Sequence, residues 1–273
     1  MEKPYGQFIG DLPVAEIKKD FQLGSDAIAF VLKQYIKMFG YPDIGGAVRF
    51  PKVLARLSPQ SGEKILDIGC GRGFYSHYIA KMGADVVGID DGPFVEISQS
   101  IGKNLKVSAK IERVDITKTQ EYFDGAKELF DKIIAIEVLE HLVDDKKAFS
   151  NWCQLLKSGG TMIFSVPLTT EKEISEFKPD LINDPYGHKR AGYTLEQIQQ
   201  LCLDNSMKLV EYGAHSADAS NKNALRNADY YNHKNFINVL LAFPFWKMTA
   251  SKELVSNSST EGYHQIVMTL KKD

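Results

Sequence analysis

Cysteine is scarce in this 273-residue chain: Cys70, Cys153 and Cys202 are too scattered for a zinc knuckle or a redox pair. An odd, dispersed set argues against a disulfide framework and fits a reducing, cytoplasmic compartment. Charge of one sign is equally short, since 33 basic residues against 35 acidic ones leave a formal net charge of −2. That balance argues against bulk attraction to polyanions, so no DNA partner is expected and RNA is disfavoured. No apolar run approaches the roughly 20 residues that span a bilayer. The opening MEKPYGQFIGDLP lacks a charged head followed by an apolar segment, so no secretory signal is expected. What remains is an ordinary globular composition, 44% hydrophobic and 25% charged, able to bury a core.

From Glu63 onward, strand and helix signals alternate. EKILDIG, ADVVGID, AKIERVD, FDKIIAIE, TMIFSVP, MKLVEYG and YHQIVMTLKK read as seven strands. FYSHYIAKMG reads as a helix closed by Gly83, and TLEQIQQLCLDN as one opened by Thr194 and Gln197 at capping-box spacing. KKAFSNWCQLLKSGG puts Phe149, Trp152, Cys153 and Leu156 on one helical face and ends at Gly159–Gly160. The alternation predicts an α/β fold: a doubly wound, Rossmann-like sheet of seven mostly parallel strands with helices on both faces. Ahead of it, residues 1–60 read as a helical cap. There DAIAFVLKQYIKMF carries Ile28, Val31, Leu32, Tyr35, Ile36 and Phe39 at helix spacing. Tyr41-Pro42 and Gly45-Gly46 then break the chain before a further helix, AVRFPKVLARL. Residues 61–273 form the main domain, with 214–261 as a substrate or lid insertion.

Ligands of such sheets bind beyond the carboxyl ends of the strands, near the switch in strand order. At the first of those ends stands ILDIGCGRGFYS, where Gly69, Gly71 and Gly73 form a turn that a ligand can approach closely. A dinucleotide fingerprint would place its third glycine, for helix–strand packing, where this chain has Phe74. The mismatch weakens a dehydrogenase reading and fits a ligand without pyrophosphate.

With these residues in view, the sequence resembles the class I S-adenosylmethionine-dependent methyltransferases. Their pattern, an apolar strand followed by D/E-x-G-x-G-x-G, is matched by Asp67, Gly69, Gly71 and Gly73, with Cys70 inside the turn. The resemblance implies S-adenosyl-L-methionine as cofactor, lying against the turn's backbone, with Asp67 near its amino group. It implies that Asp90, followed by Asp91 in GIDD, takes the ribose hydroxyls, a task suited to an ionised carboxylate because it only accepts. Asp115 and Ile116 of RVDIT would meet adenine, and Ile136 and Glu137 of FDKIIAIEVLEHL would pass over the cofactor. The match runs in order over about residues 63–167.

Methyl transfer from a sulfonium is an in-line displacement in which positioning supplies much of the acceleration. A hydroxyl acceptor also needs a base or a metal. EVLEH sets Glu137, Glu140 and His141 at i, i+3 and i+4, one face if the strand gives way to a helical turn. YGHKRAGYT places His188 in the loop after the fifth strand, above the same edge of the sheet. His188 and His141 are therefore the candidate catalytic residues. The pattern is similar to the ubiquinone-pathway O-methyltransferases and to small-RNA 2′-O-methyltransferases that bind a metal. On that analogy Glu137, Glu140, His141 and His188 would ligate a divalent ion such as Mg, in a mixed oxygen/nitrogen shell. The plainer alternative is an acid that orients the cofactor and a histidine that anchors the loop, with no metal. Lys189 and Arg190, beside His188, read either as contacts for an anionic substrate or as solvated charges.

Specificity must come from what is added to the shared core. The 214–261 stretch holds NADYYNHKNFINVLLAFPFWKM, aromatic and apolar, then the polar ASKELVSNSSTEG. A helix packed on the body, a homodimer contact, a lid over an apolar acceptor and a peripheral membrane contact all stay open. Tyr230, Tyr231, His233 and Trp246 are candidate pocket residues, and Lys222 and Arg226 candidate contacts for an anionic group. The sequence thus predicts O-methylation of a small molecule, whether apolar, sugar-derived or quinone-type. Metal-dependent RNA ribose 2′-O-methylation and a non-catalytic S-adenosylmethionine-binding protein are the alternatives.

Overall fold

The computed structural model describes residues 6–177, 187–217, 236–251 and 263–273. Its strands are β1 (Lys64–Ile68), β2 (Asp85–Asp90), β3 (Lys110–Arg113), β4 (Phe130–Ile136), β5 (Leu156–Pro167), β6 (Met207–Ala217) and β7 (Tyr263–Lys272). They lie in the order β3-β2-β1-β4-β5-β7-β6, with β7 antiparallel to β5 and β6 and the other pairs parallel. The helices are α1 (Val14–Asp20), α2 (Asp26–Phe39), α3 (Ile44–Leu57), α4 (Phe74–Lys81), α5 (Val95–Leu105), α6 (Thr119–Tyr122), α7 (Asp145–Leu155), α8 (Glu171–Glu176), α9 (Leu195–Leu203) and α10 (Phe236–Ser251). The order of strands reverses between β1 and β4, which puts the switch point at the glycine turn. Among the described residues no helix is long and apolar enough to cross a membrane.

Neighbouring residues of a strand face opposite sides, and both sides here are apolar. Leu66, Ile133 and Phe164 pack against Phe149 and Trp152 of α7 and Ile198 of α9. Ile65, Ile134 and Ile163 pack against Val53 and Leu57 of α3 and Ile79 of α4. The helices ahead of β1 build their own cluster, in which Ile9, Leu12, Ile17, Leu32 and Ile36 meet Tyr41, Phe74 and Ile101. Phe74 therefore leaves the crevice at the switch point and packs edge-on against Phe8 and Tyr41, at ring separations of 5.6 and 5.0 Å.

Several expected boundaries move. The helix read through to Gly159–Gly160 stops at Leu155, because Leu156 already pairs with Phe130 as the start of β5. Phe149, Trp152 and Cys153 are buried on α7 as expected, whereas Leu156 is buried from the strand. Gly45 and Gly46 sit inside α3 rather than ahead of it, since the Asp43 side chain accepts from Gly46 N at 3.2 Å and starts the helix early. Residues 214–217, expected in the insertion, continue β6 beside β7.

The face of α2 also differs. Ala29, Leu32 and Ile36 are buried, while Ile28 and Val31 are 55% and 61% exposed. Both faces of this helix are apolar, so periodicity alone could not choose between them. On α10, Ile237, Leu241, Phe245 and Met248 form an exposed stripe. Trp246 is buried with Phe243 against Ile44, Ala47 and Val48, which makes it a packing residue of α3 rather than a pocket wall. Lys222, Arg226, Tyr230, Tyr231 and His233 lie outside the described residues.

Candidate active site

The turn between β1 and α4 holds its three glycines in left-handed backbone, at φ values of 69°, 52° and 70° for Gly69, Gly71 and Gly73. L side chains disfavour that conformation. The three are not equivalent. A methyl at Gly69 would run into Val138, and one at Gly73 into Ser98 and His77, whereas one at Gly71 would meet nothing within 4 Å. The outer glycines let backbone pack against protein; the middle one faces the open crevice.

Asp90 pins this turn from the end of β2. One carboxylate oxygen accepts from Gly71 N at 2.8 Å and the other from Gly92 N at 2.6 Å. Asp67 lies underneath, 2% exposed, accepting a 2.5 Å hydrogen bond from Ser76 Oγ of α4. Burial, with Asp90 nearby, pushes the Asp67 carboxyl up to about 7. Cys70 is buried in the turn. Asp91 is exposed beyond β2, its carboxyl raised chiefly by desolvation and then by Asp90. Asp115 accepts from Thr117 N and Oγ1 at 3.0 and 2.6 Å, and those bonds hold its carboxyl below the usual range. The Ile116 carbonyl is fixed by Trp152 Nε1 at 3.1 Å. Asp67, Asp90, Asp115 and Ile136 thus stand at or beside the carboxyl ends of the first four strands.

Beyond β4 the chain departs from the expected helical turn. Glu137 has φ of 55°, and only a short 3-10 turn, Leu139–His141, follows. The kink turns the Glu137 carboxylate toward β5 and β7, where Ser165 Oγ and Gln265 Nε2 donate to it at 2.7 and 3.0 Å, and Arg49 of α3 lies 3.6 Å away. Glu137 is therefore separated from the metal-binding set expected of it.

Glu140, by contrast, is fully buried, and among the described residues neither of its carboxylate oxygens has a hydrogen-bond partner. Burial and the neighbouring Glu137 raise its pKa well above the carboxylate range. His141 Nε2 lies 3.8 Å from Glu140 Oε1, and the rings of His141 and His188 stack at 4.8 Å and 32°. One ligand atom from each of Glu140, His141 and His188 falls within 4.8 Å of the others. An orphaned buried carboxylate beside two imidazoles is a donor set that fits a divalent cation.

Sequence reasoning missed the partners that hold this arrangement. Arg72, inside the glycine turn, donates from Nε to Asp20 of α1 at 2.9 Å and lies 3.9 Å over the Phe94 ring. Arg190, read as an anion contact or a solvated charge, pairs through Nη1 with Asp145 at 2.6 Å. A serine in the apolar strand TMIFSVP was the available signal for the Ser165 contact; no spacing announced the others.

Known proteins share the family and the fold. A family model described as a methyltransferase domain matches residues 59–229. A ubiquinone biosynthesis O-methyltransferase from Azorhizobium caulinodans is 35% identical over 132 residues, 48% of this chain and 49% of that protein. The mitochondrial human protein of the same name is 30% identical over 117 residues, 39% of this chain and 29% of that one. The aligned part of the chain thus spans about half the length of the bacterial relative. An S-adenosylmethionine-dependent methyltransferase structure from Mesorhizobium loti superposes with a TM-score of 0.54 at 16% identity, covering 84% of this chain and 100% of that one. The cyclase SpnF superposes at 0.61 and 16%, covering 100% and 98%. The family match and the strand order together give the class I methyltransferase fold. The chain belongs to the methyltransferase-domain family.

Two outcomes follow from the turn. Gly71→Ala should fold with a cost of about 1–2 kcal/mol yet weaken S-adenosylhomocysteine binding in calorimetry, whereas Gly73→Ala should lower the denaturation midpoint far more. Equal stability losses would contradict the assignment of open and packed glycines. Asp67 titrates higher when folded than unfolded, so the folded state holds a proton that the unfolded chain releases. Stability should therefore fall as pH rises from about 4 to about 7, by up to about 1.4 kcal/mol per pH unit for this one group. Asp67→Asn should flatten that slope in urea titrations; an unchanged slope would refute the assignment.

Proposed function

We propose that this chain transfers the methyl group of S-adenosylmethionine to an oxygen of a small acceptor, apolar and quinone-type. The observation that carries the reading is one crevice edge bearing both an open glycine turn pinned by Asp90 and, at the end of β4, the imidazole pair over Glu140. The relatives named for ubiquinone biosynthesis support the acceptor class, and the exposed apolar stripe on α10 supports its apolar character.

In this reading Gly69, Cys70, Gly71 and Gly73 line the cofactor, and Asp67 stiffens the turn through Ser76. Asp90 takes the ribose hydroxyls, with Asp91 on the rim. Asp115 and Ile116 meet the adenine edge, and Ile136 packs over the ring. Glu137, locked by Arg49, Ser165 and Gln265, shapes the end of β4. His188 or His141 takes the acceptor's hydroxyl proton as oxygen attacks the methyl carbon and the carbon–sulfur bond breaks. If Glu140, His141 and His188 instead hold a divalent cation, the imidazoles act as ligands rather than bases, and the cation would supply the activation by lowering the pKa of a bound hydroxyl.

Incubation with methyl-labelled cofactor and fractionated extract, read by mass spectrometry, tests the reading. The expected product is a methylated phenolic or quinol compound, with transfer lost on chelation and in His188→Ala. Cofactor binding without any labelled product would favour a binding protein instead; the likeness to a protein named as a cyclase makes that outcome informative. Label in RNA would favour ribose methylation, and turnover indifferent to chelator would leave His188 as base without a metal.

A further inference from the structure

His188 stands on the returning arm of an excursion that leaves the sheet after β5 and comes back into α9. The root of this excursion is closed by backbone: Tyr193 N donates to Pro167 O at 3.0 Å, and Thr169 N donates to Tyr193 O at 3.0 Å. Gly192, at φ of 140°, presses so closely on Pro167 O that no side chain fits there. Between that root and His188 lies a second set of anchors, and it reaches across to the turn carrying Glu140 and His141.

The anchors converge on Asp145, the first residue of α7, which is 8% exposed. Arg190 Nη1 pairs with Asp145 Oδ2 at 2.6 Å, and Tyr193 OH donates to the same oxygen at 2.8 Å. Arg190 Nη2 also donates to the Leu142 carbonyl at 2.8 Å, which caps the 3-10 turn bearing Glu140 and His141. Next to it, Lys189 N donates to the Glu140 carbonyl at 2.9 Å. A charge-assisted pair with a planar guanidinium fixes direction as well as distance. The residue fixed here is two positions from His188, whose ring stacks on His141.

We propose that Arg190, held by Asp145 and Tyr193, is a positioning residue that sets the His188 ring over His141 and Glu140. It joins the arm after β5 to the turn after β4, and so fixes the orientation of the two imidazoles relative to each other. Groups outside a metal or catalytic site that orient its members commonly change affinity or rate by about 10- to 100-fold when removed. The role matters for catalysis only on the reading of His188 given under Proposed function, but the placement of the ring is a separate, measurable fact.

The test compares wild type with Arg190→Met, Arg190→Lys, Asp145→Asn and His188→Ala, each below its own melting temperature. Histidine-labelled NMR reads the His188 ring-current shift caused by stacking on His141. Calorimetry with Mn2+ alone reads the cluster, and S-adenosylhomocysteine reads the cofactor side. In Arg190→Met the His188 resonance should move toward that of a free histidine, and any Mn2+ affinity of the wild type should fall about 10- to 100-fold. S-adenosylhomocysteine affinity should stay the same, and Arg190→Lys should recover part of the shift. Should Arg190→Met unfold, Arg190→Lys and Asp145→Asn supply the same readouts. A folded Arg190 variant whose His188 keeps the wild-type shift overturns the proposal. Absence of Mn2+ binding in wild type, with the shift still lost in Arg190→Met, overturns the metal reading and leaves the positioning role standing.

Discussion

The contact on which the rest of the site depends is the one between Asp90 and the backbone of Gly71. The chain leaving β1 turns through left-handed conformation three times within five residues, and its Gly69 and Cys70 amides donate to the Ile89 carbonyl of β2. Such a turn has little to hold it except what neighbouring elements supply. Asp90 supplies it from the adjacent strand, accepting from Gly71 and Gly92 with separate oxygens. Because β1 and β2 are parallel and in register, Ile68 opposite Ile89, the end of β2 arrives beside the turn without further adjustment. Sheet register, glycine conformation and a charged acceptor at the crevice are thus one arrangement.

The second half of the site is organised by a buried carboxylate in need of partners. Glu140 is buried, and among the described residues no donor hydrogen-bonds to it, a costly placement for an acid in either protonation state. Two features keep it there: the kink at Glu137, secured by Arg49, Ser165 and Gln265, and the Arg190–Asp145–Tyr193 network that brings His188 across. Proteins retain such unsatisfied groups where function requires them.

Most of the fold was legible because its signals are local. All seven strands, the glycine turn and the Thr194–Gln197 capping box fall on the segments that apolar period and turn residues mark, although β5 starts earlier and β6 ends later than those segments. What could not be read is what long-range contact decides. Two apolar faces compete on α2, and only packing against Ile9, Leu12 and Ile17 selects Leu32 and Ile36 over Ile28 and Val31. Leu156 fits a helix equally well until Phe130 offers a strand partner. In the site, the residues facing the crevice were visible as motifs. Glu137 was misgrouped because i, i+3, i+4 spacing presumes a helix, and a single left-handed residue removes that premise. Arg190 and Asp145 are far apart in sequence and carry no mutual pattern, so their pairing emerges only in three dimensions.

The central claim is that the crevice edge formed by Gly71 and Asp90 receives a nucleoside through its ribose. Calorimetric titration of S-adenosylhomocysteine into wild type and Asp90→Asn tests it directly. Asparagine can accept from only one of the two turn amides, so the fold of the variant is checked by its denaturation midpoint, and it would lack the charge-assisted bonds to ribose. The account predicts saturable one-to-one binding to wild type and an affinity about 10- to 100-fold lower in the folded variant. No saturable binding to wild type, or equal affinity in both proteins, would contradict it.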